Sequence, residues 1–377
     1  MATPRFAIGT AFFVNGVLFA SWVSRIPGVK DTIGLSEAAL GLVLFAMGIG
    51  TSSALPLTGV LIPRYGTGGV TVGSTLVSCG TLAVVGAMPA AVPLAGGLAL
   101  FGAAMGAMDV AMNAQASRLE NSLGRSIMAS FHGLWSLGAL AGTAVGGLCA
   151  ARGITPGAHF LFVAPGLAVV ALLLRPLLVA EDQRSPPAAL TWPSRAVLGV
   201  GVVAACGAVI EGGVAEWSGV FLLDARGTGP GLAAAGYAAF SLAMATGRLA
   251  GDRLIDRVGA VAALRIGALV AGSALAAALL SWSAPVSIAA FGLVGLGMSI
   301  VFPIAFSAAG RVPGTDPSRA IAAVATMGYG AGMLGPPFIG FAASATSLSL
   351  ALTGLVVLSA VIALGAPRLL AAATRRS

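Results

Sequence analysis

Apolar stretches of about twenty residues recur along this chain from end to end, each long enough to cross roughly 30 Å of hydrocarbon. Lipid offers the backbone no water, so such a run must satisfy its own peptide groups, which a helix does. Hydrophobic residues make up 58% of the 377 and charged residues only 8%, against about 25% charged in a soluble domain. The fold class this predicts is an all-α integral membrane protein. Twelve transmembrane spans are expected, at 6–26, 36–60, 69–90, 93–116, 125–150, 156–179, 196–223, 231–251, 259–281, 284–309, 319–343 and 345–367. A lone Arg precedes the first run, as in a secretory leader. No A-x-A site follows and the run continues through Trp22, so it is read as a spanning helix. Pro27, Pro56, Pro303, Pro336 and Pro337 lie in or near spans and predict kinks.

With the N-terminus inside, only Arg25, Lys30, Arg152 and Arg226 of the 20 Lys and Arg residues fall on the outer side. The rest occupy inner segments or helix ends, a strong positive-inside bias. It predicts a cell (plasma) membrane protein with both termini in the cytoplasm. It also explains the net charge of +8 without a nucleic-acid partner.

The polar connector 180–195 holds Glu181, Asp182, Arg184 and three prolines and cannot span. It divides the chain into six-span halves, 1–179 and 196–377. Ser21-Trp22 aligns with Glu216-Trp217, Ala46-Met47 with Ala243-Met244, Arg64-x-Gly66 with Arg257-x-Gly259, and Trp135 and Gly138 with Tyr329 and Gly332. All are offset by about 195 residues. An even number of spans per copy inserts both copies the same way up, giving parallel repeats.

Two carboxylates, Glu211 and Glu216, interrupt the apolar run from Ala196 to Leu223. An ionised carboxylate in hydrocarbon costs about 3 kcal/mol on the mildest scale, so each must face protein or a wet cavity. Five residues apart, they differ by about 140° around a helix and cannot both enter one cavity. Glu211, near mid-span, is the candidate proton or solute group. Glu216 lies nearer the outside, at the depth of Ser21 to Arg25 in the other half, and an Arg25–Glu216 pair closing the outer side is expected. Asp109 and Asn113 share one face of the fourth span. An intramembrane acid defaults to function; an ion pair with Arg118 or another inner arginine is the structural alternative. His132, near Trp135 on the fifth span, is a proton relay or a packing histidine. Asn15 is placed on the cavity side of the first span. Trp22 and Trp217 are candidates to stack on a ring-shaped solute, with interfacial anchoring as the alternative.

Other chemistry is poorly represented. Cys79, Cys149 and Cys206 fall in apolar segments as small core side chains and show no metal-ligand spacing. Gly330-x-Gly332-x-x-Gly335 matches a dinucleotide fingerprint by letter, but no strand precedes it. The single lysine stands in no phosphate loop, which excludes an ATP-driven pump within the chain. No cofactor, metal or catalytic group is expected, and no enzyme.

The second span runs into Gly59-Val60-Leu61-Ile62-Pro63-Arg64-Tyr65-Gly66, read as a loop, and the eighth into Asp252-Arg253-Leu254-Ile255-Asp256-Arg257-Val258-Gly259. Both resemble the G-x-L-x-D-R-x-G signature of the major facilitator superfamily. The first has Pro63 for the Asp, and the second has Asp252 for the first Gly. The charges Arg64, Asp252, Asp256 and Arg257 are candidates to latch the cytoplasmic face. In the fifth span, Gly138-x-x-x-Gly142-Thr143-x-x-Gly146-Gly147 resembles the glycine motif of facilitator antiporters, with Thr143 in place of Pro; small-residue packing explains it as well. Asp109-x-x-x-Asn113, and Phe302-Pro303-x-x-Phe306-Ser307 in the tenth span, resemble the fucose-permease-like branch, although the first span lacks that branch's acid. The resemblance implies alternating access, with spans 1, 4, 7 and 10 lining a central site. The expected function is proton-coupled secondary transport of a sugar-like or other small polar solute by a monomer. A metabolite or drug efflux antiporter, or a non-transporting sensor of the same fold, is the alternative.

Overall fold

The computed structural model describes residues 2–123, 127–178, 194–313, 315 and 317–370. Most of the connector 180–195, together with Arg125, lies outside them. The first expected span is a broken rod, α1 (Ala2–Val23) followed by α2 (Ile26–Ile33). The break has a local cause. Pro27 lacks an N–H, and its ring would clash with the carbonyl four residues back, which belongs to Val23, the last residue of α1. Pro303 acts alike. Four residues before it is Ser299, in the gap between α11 (Ala284–Met298) and α12 (Val301–Ala309).

The second and third spans form one 49-residue helical trace, α3 (Glu37–Val85). The loop expected at 59–66 is helical up to Gly66, where φ is 69° and ψ 163°. The matching segment in the other half is helical too. α9 (Ala235–Val258) runs to the residue before Gly259, which has φ 82° and ψ 155° and caps α10 (Ala260–Leu280). That region of backbone space is essentially restricted to glycine. The last glycine of each signature segment is therefore the joint between two rods, and the letters before it are helix rather than loop.

The remaining rods are α4 (Ala91–Leu123), α5 (Met128–Ala151), α6 (Pro156–Leu174), α7 (Arg195–Val220), the single turn α8 (Pro230–Ala233), α13 (Pro317–Ala345) and α14 (Leu348–Leu369). A π-turn at Phe221–Ala225 extends α7. Ser36, Thr155, Ser194 and Ser347 cap α3, α6, α7 and α14 by accepting from the backbone N–H three residues on. α13 continues through Pro336-Pro337 as one helix. Among the described residues, ten helical stretches are long and apolar enough to cross a membrane. α9 and α13, at the eighth and eleventh expected places, complete a twelve-helix all-α arrangement.

The chain forms two compact units: Met1–Ser185 with Gly229–Ala238, and Pro186–Thr228 with Ala239–Ser377. The first unit thus takes in a segment that follows the connector. There Gly231 lies against Ala151 and the Gly147 carbonyl at the end of α5.

Within each unit the helices meet at glycines, and the two units repeat the same contacts. A Cβ on Gly102 of α4 would collide with the Met47 carbonyl of α3; one on Gly295 of α11 would collide with the Phe240 carbonyl of α9. These contacts occupy equivalent places in the two halves. On α5, Gly138, Gly142 and Gly146 form one stripe. Cβ atoms there would run into the carbonyls of Phe13 and Val17 and the hydroxyl of Ser24, all on the α1 side. The glycine pattern of the fifth span is the groove in which α1 lies, the close approach expected where lipid gives helices no hydrophobic reason to associate.

Candidate functional site

In the second unit, α7 carries Glu211 and α9 carries Arg248, with Arg248 Nη2 3.8 Å from Glu211 Oε2. The side chains are 31% and 19% exposed for arginine and glutamate. Glu211 Oε1 is buried and has no hydrogen-bond partner. One carboxylate oxygen therefore faces a cation while the other is left to accept a proton or a donor from a solute. Five residues on, Glu216 Oε2 is also buried without a partner, as are Trp217 Nε1 and Ser218 Oγ.

In the first unit the polar groups gather on α1, α4 and α5. Asn15 is 4% exposed. Its Oδ1 accepts from Trp135 Nε1 at 2.8 Å, and its Nδ2 faces Met105 Sδ at 4.0 Å. Trp135 is half-buried, with the Phe19 ring 5.9 Å away; Phe19 meets Tyr237 edge-on at 6.3 Å. His132 is exposed and lies edge-on to Phe12 at 5.3 Å. Asp109 and Asn113 do share a face: Asn113 Nδ2 donates to Asp109 Oδ1 at 3.0 Å and to its backbone carbonyl at 2.9 Å. Among the described residues no arginine pairs with Asp109.

One expectation needs correction. Trp22 and Trp217 are 1% and 0% exposed. Neither offers a ring face to a solute or sits at an interface; both fill the interior. Arg25 is buried, with its guanidinium engaged inside its own unit. It donates to the Gly146 carbonyl at 3.1 Å and to the Ile154 carbonyl, at the end of α5. Arg25 and Glu216 belong to different units. Arg64 is exposed and lies over the ring of its neighbour Tyr65, 5.5 Å from the centroid. Asp256 and Arg257 are exposed at the end of α9, and the side chain of Asp252 lies outside the described residues.

Two residues of these clusters, one in each unit, escaped the sequence reading. Arg248 counted only as one more inner-side positive charge, and Trp135 as a repeat position and a neighbour of His132. Their partners lie far away in sequence, so no local pattern marks them. The one available signal for Arg248 was its position well inside an expected span.

The sequence profile of the Major Facilitator Superfamily matches residues 6–336. An uncharacterized MFS-type transporter of Yersinia pestis is 37% identical over 344 residues, covering 90% of this chain and 89% of that protein. The chain belongs to the Major Facilitator Superfamily. This facilitator is a multi-pass membrane transporter, and its superfamily is one of carriers, not enzymes. Its fold has solved counterparts. A point mutant of the nucleoside transporter NupG superposes with a TM-score of 0.81 at 13% identity, over 97% of this chain and 99% of NupG. The MFS transporter FucP, in its outward conformation, gives 0.63 at 16% identity, over 97% and 98% of the two chains. At these identities the likeness is one of fold.

Proposed function

We propose that this facilitator is a proton-coupled secondary transporter of a small polar metabolite, sugar-like in character, working by alternating access as a monomer in the plasma membrane with both termini cytoplasmic. The observation that carries the reading is the Glu211–Arg248 pair. A carboxylate within a bilayer span, half engaged by a cation and half unpartnered, is costly to keep and useful only where a proton or solute exchanges. Within the first unit, Asp109 with Asn113, and Asn15 with Trp135, are assigned as polar groups for a solute. Phe19 and Trp135 offer it a ring face. Arg64, Asp252, Asp256 and Arg257 are assigned to the cytoplasmic gate.

The test is a thermal-shift screen of the purified protein with sugars, nucleosides, amino acids and efflux drugs, each at two pH values. The hit is then carried into proteoliposomes loaded with a pH-sensitive dye. The reading expects a sugar or similar polar solute to raise Tm by mass action and to move protons with it. Glu211→Gln should abolish the proton movement. Proton movement unaltered in Glu211→Gln, or a solute moved without protons, would refute the coupling.

A further inference from the structure

Arg25 stands at the joint between α1 and α2, 4% exposed, inside the first candidate span, Pro4–Ile33. The two carbonyls it donates to are neutral, and among the described residues no carboxylate pairs with it. Its Nε is buried without a partner. Three neighbours are in the same condition: Ser21 Oγ, Trp22 Nε1 and both ring nitrogens of His159, on residues no more than 1% exposed.

These groups share one locality. Ser21 and Trp22 lie in the last turn of α1, and Arg25 in the joint that follows it. The Trp22 and His159 rings both meet Phe160, at 6.5 and 5.3 Å. Gly146 links them to Arg25. Its carbonyl takes the guanidinium, and a Cβ on it would collide with Ser24 Oγ and lie 3.4 Å from His159 Cε1.

A buried charge requires a counter-charge, and buried donors require acceptors. Here the unsatisfied groups are mostly donors around a cation: a guanidinium N–H, an indole N–H, a hydroxyl and an imidazole. The matching ligand is an acceptor with a negative charge, and the crowding at Gly146 favours a compact one. We propose that Ser21, Trp22, Arg25 and His159 form a binding site for a small monovalent anion of the chloride class. The ion neutralises Arg25 and ties α1 to α5 and α6.

The experiment uses the full-length protein in detergent, exchanged into sodium gluconate. It is titrated with sodium chloride or bromide at constant ionic strength while Tm is followed. The expected result is a saturable rise in Tm with either halide and none with added gluconate. Trp22→Phe and Ser21→Ala each remove a donor and keep most of the bulk. Each should move the halide midpoint up by about tenfold, the equivalent of one lost hydrogen bond to a charge. A Tm indifferent to halide, or a midpoint unchanged in both variants, would overturn the site. A halide-indifferent Tm with equal losses of stability in Arg25→Met and Glu216→Gln would also overturn it, giving the arginine a counter-charge from the protein.

Discussion

Glu211 and Arg248 are coupled through a single contact of 3.8 Å, and both retain some exposure. Removing the arginine alone leaves the carboxylate without its cation, whereas removing both charges leaves nothing unpaired. Arg248→Met should therefore lower Tm more than Arg248→Met with Glu211→Gln. The coupling should be about 1 kcal/mol, since solvent screens a pair of this exposure; denaturant unfolding of the four proteins measures it. The tryptophans divide in a similar way. Trp22→Ala and Trp217→Ala should each cost about 3–5 kcal/mol as core cavities, while their Phe variants keep any solute-induced Tm shift. Trp135→Phe should weaken that shift, because it removes the N–H bonded to Asn15. Glu211 was legible in the sequence because an acid inside an apolar run announces its own cost. Arg248 was not, because only the approach of α9 to α7 makes it a partner. Hydropathy also says nothing about which side of a membrane helix meets protein, so it placed Trp22 and Trp217 on a solute path they do not line.

Helices in this protein are joined and packed by glycines in two distinct roles. Gly66 and Gly259 hold backbone angles that a side chain resists. Gly66→Ala and Gly259→Ala should each cost about 1–3 kcal/mol. Gly59, in the same helix as Gly66, has negative φ and open space where a Cβ would be. Gly59→Ala should be neutral or raise stability by up to about 1 kcal/mol, through helix propensity alone. Measured Tm values for the three variants would separate the roles by sign. The packing glycines should be intolerant of bulk: Gly102→Leu and Gly138→Leu push against backbone carbonyls that cannot move aside, and should abolish the monodisperse peak in size-exclusion chromatography. The signature letters correctly pointed to these joints. Their reading as loops failed because a helix needs no break until the glycine itself, so Asp256 and Arg257 extend α9 rather than leave it.

The whole chain was largely readable as twelve rods in two related halves, since length and apolarity are what a bilayer selects. α9 and α13 stand outside the ten stretches that are long and apolar enough to cross a membrane, and the repeat supports counting them as equals of those ten. The assignment of Gly229–Ala238 to the first unit was not readable, because it depends on which glycine meets which carbonyl in space. Topology follows from charge placement and can be tested directly. Alkaline phosphatase fused after Gly227 should be active, and a fusion after Leu190 or at the C-terminus inactive; the reverse pattern would invert the orientation. The paired contacts of the two units have a further consequence for how this gene tolerates change. Gly102 rests on Met47 as Gly295 rests on Phe240, and Gly66 turns the chain as Gly259 does. A saturation-mutagenesis map should therefore show the same intolerant positions twice, in the same order, once in each half. Where one copy is deep and its counterpart shallow, as at Gly138 beside the more loosely packed Gly332, the map would mark where the duplicated halves have been freed to do different work.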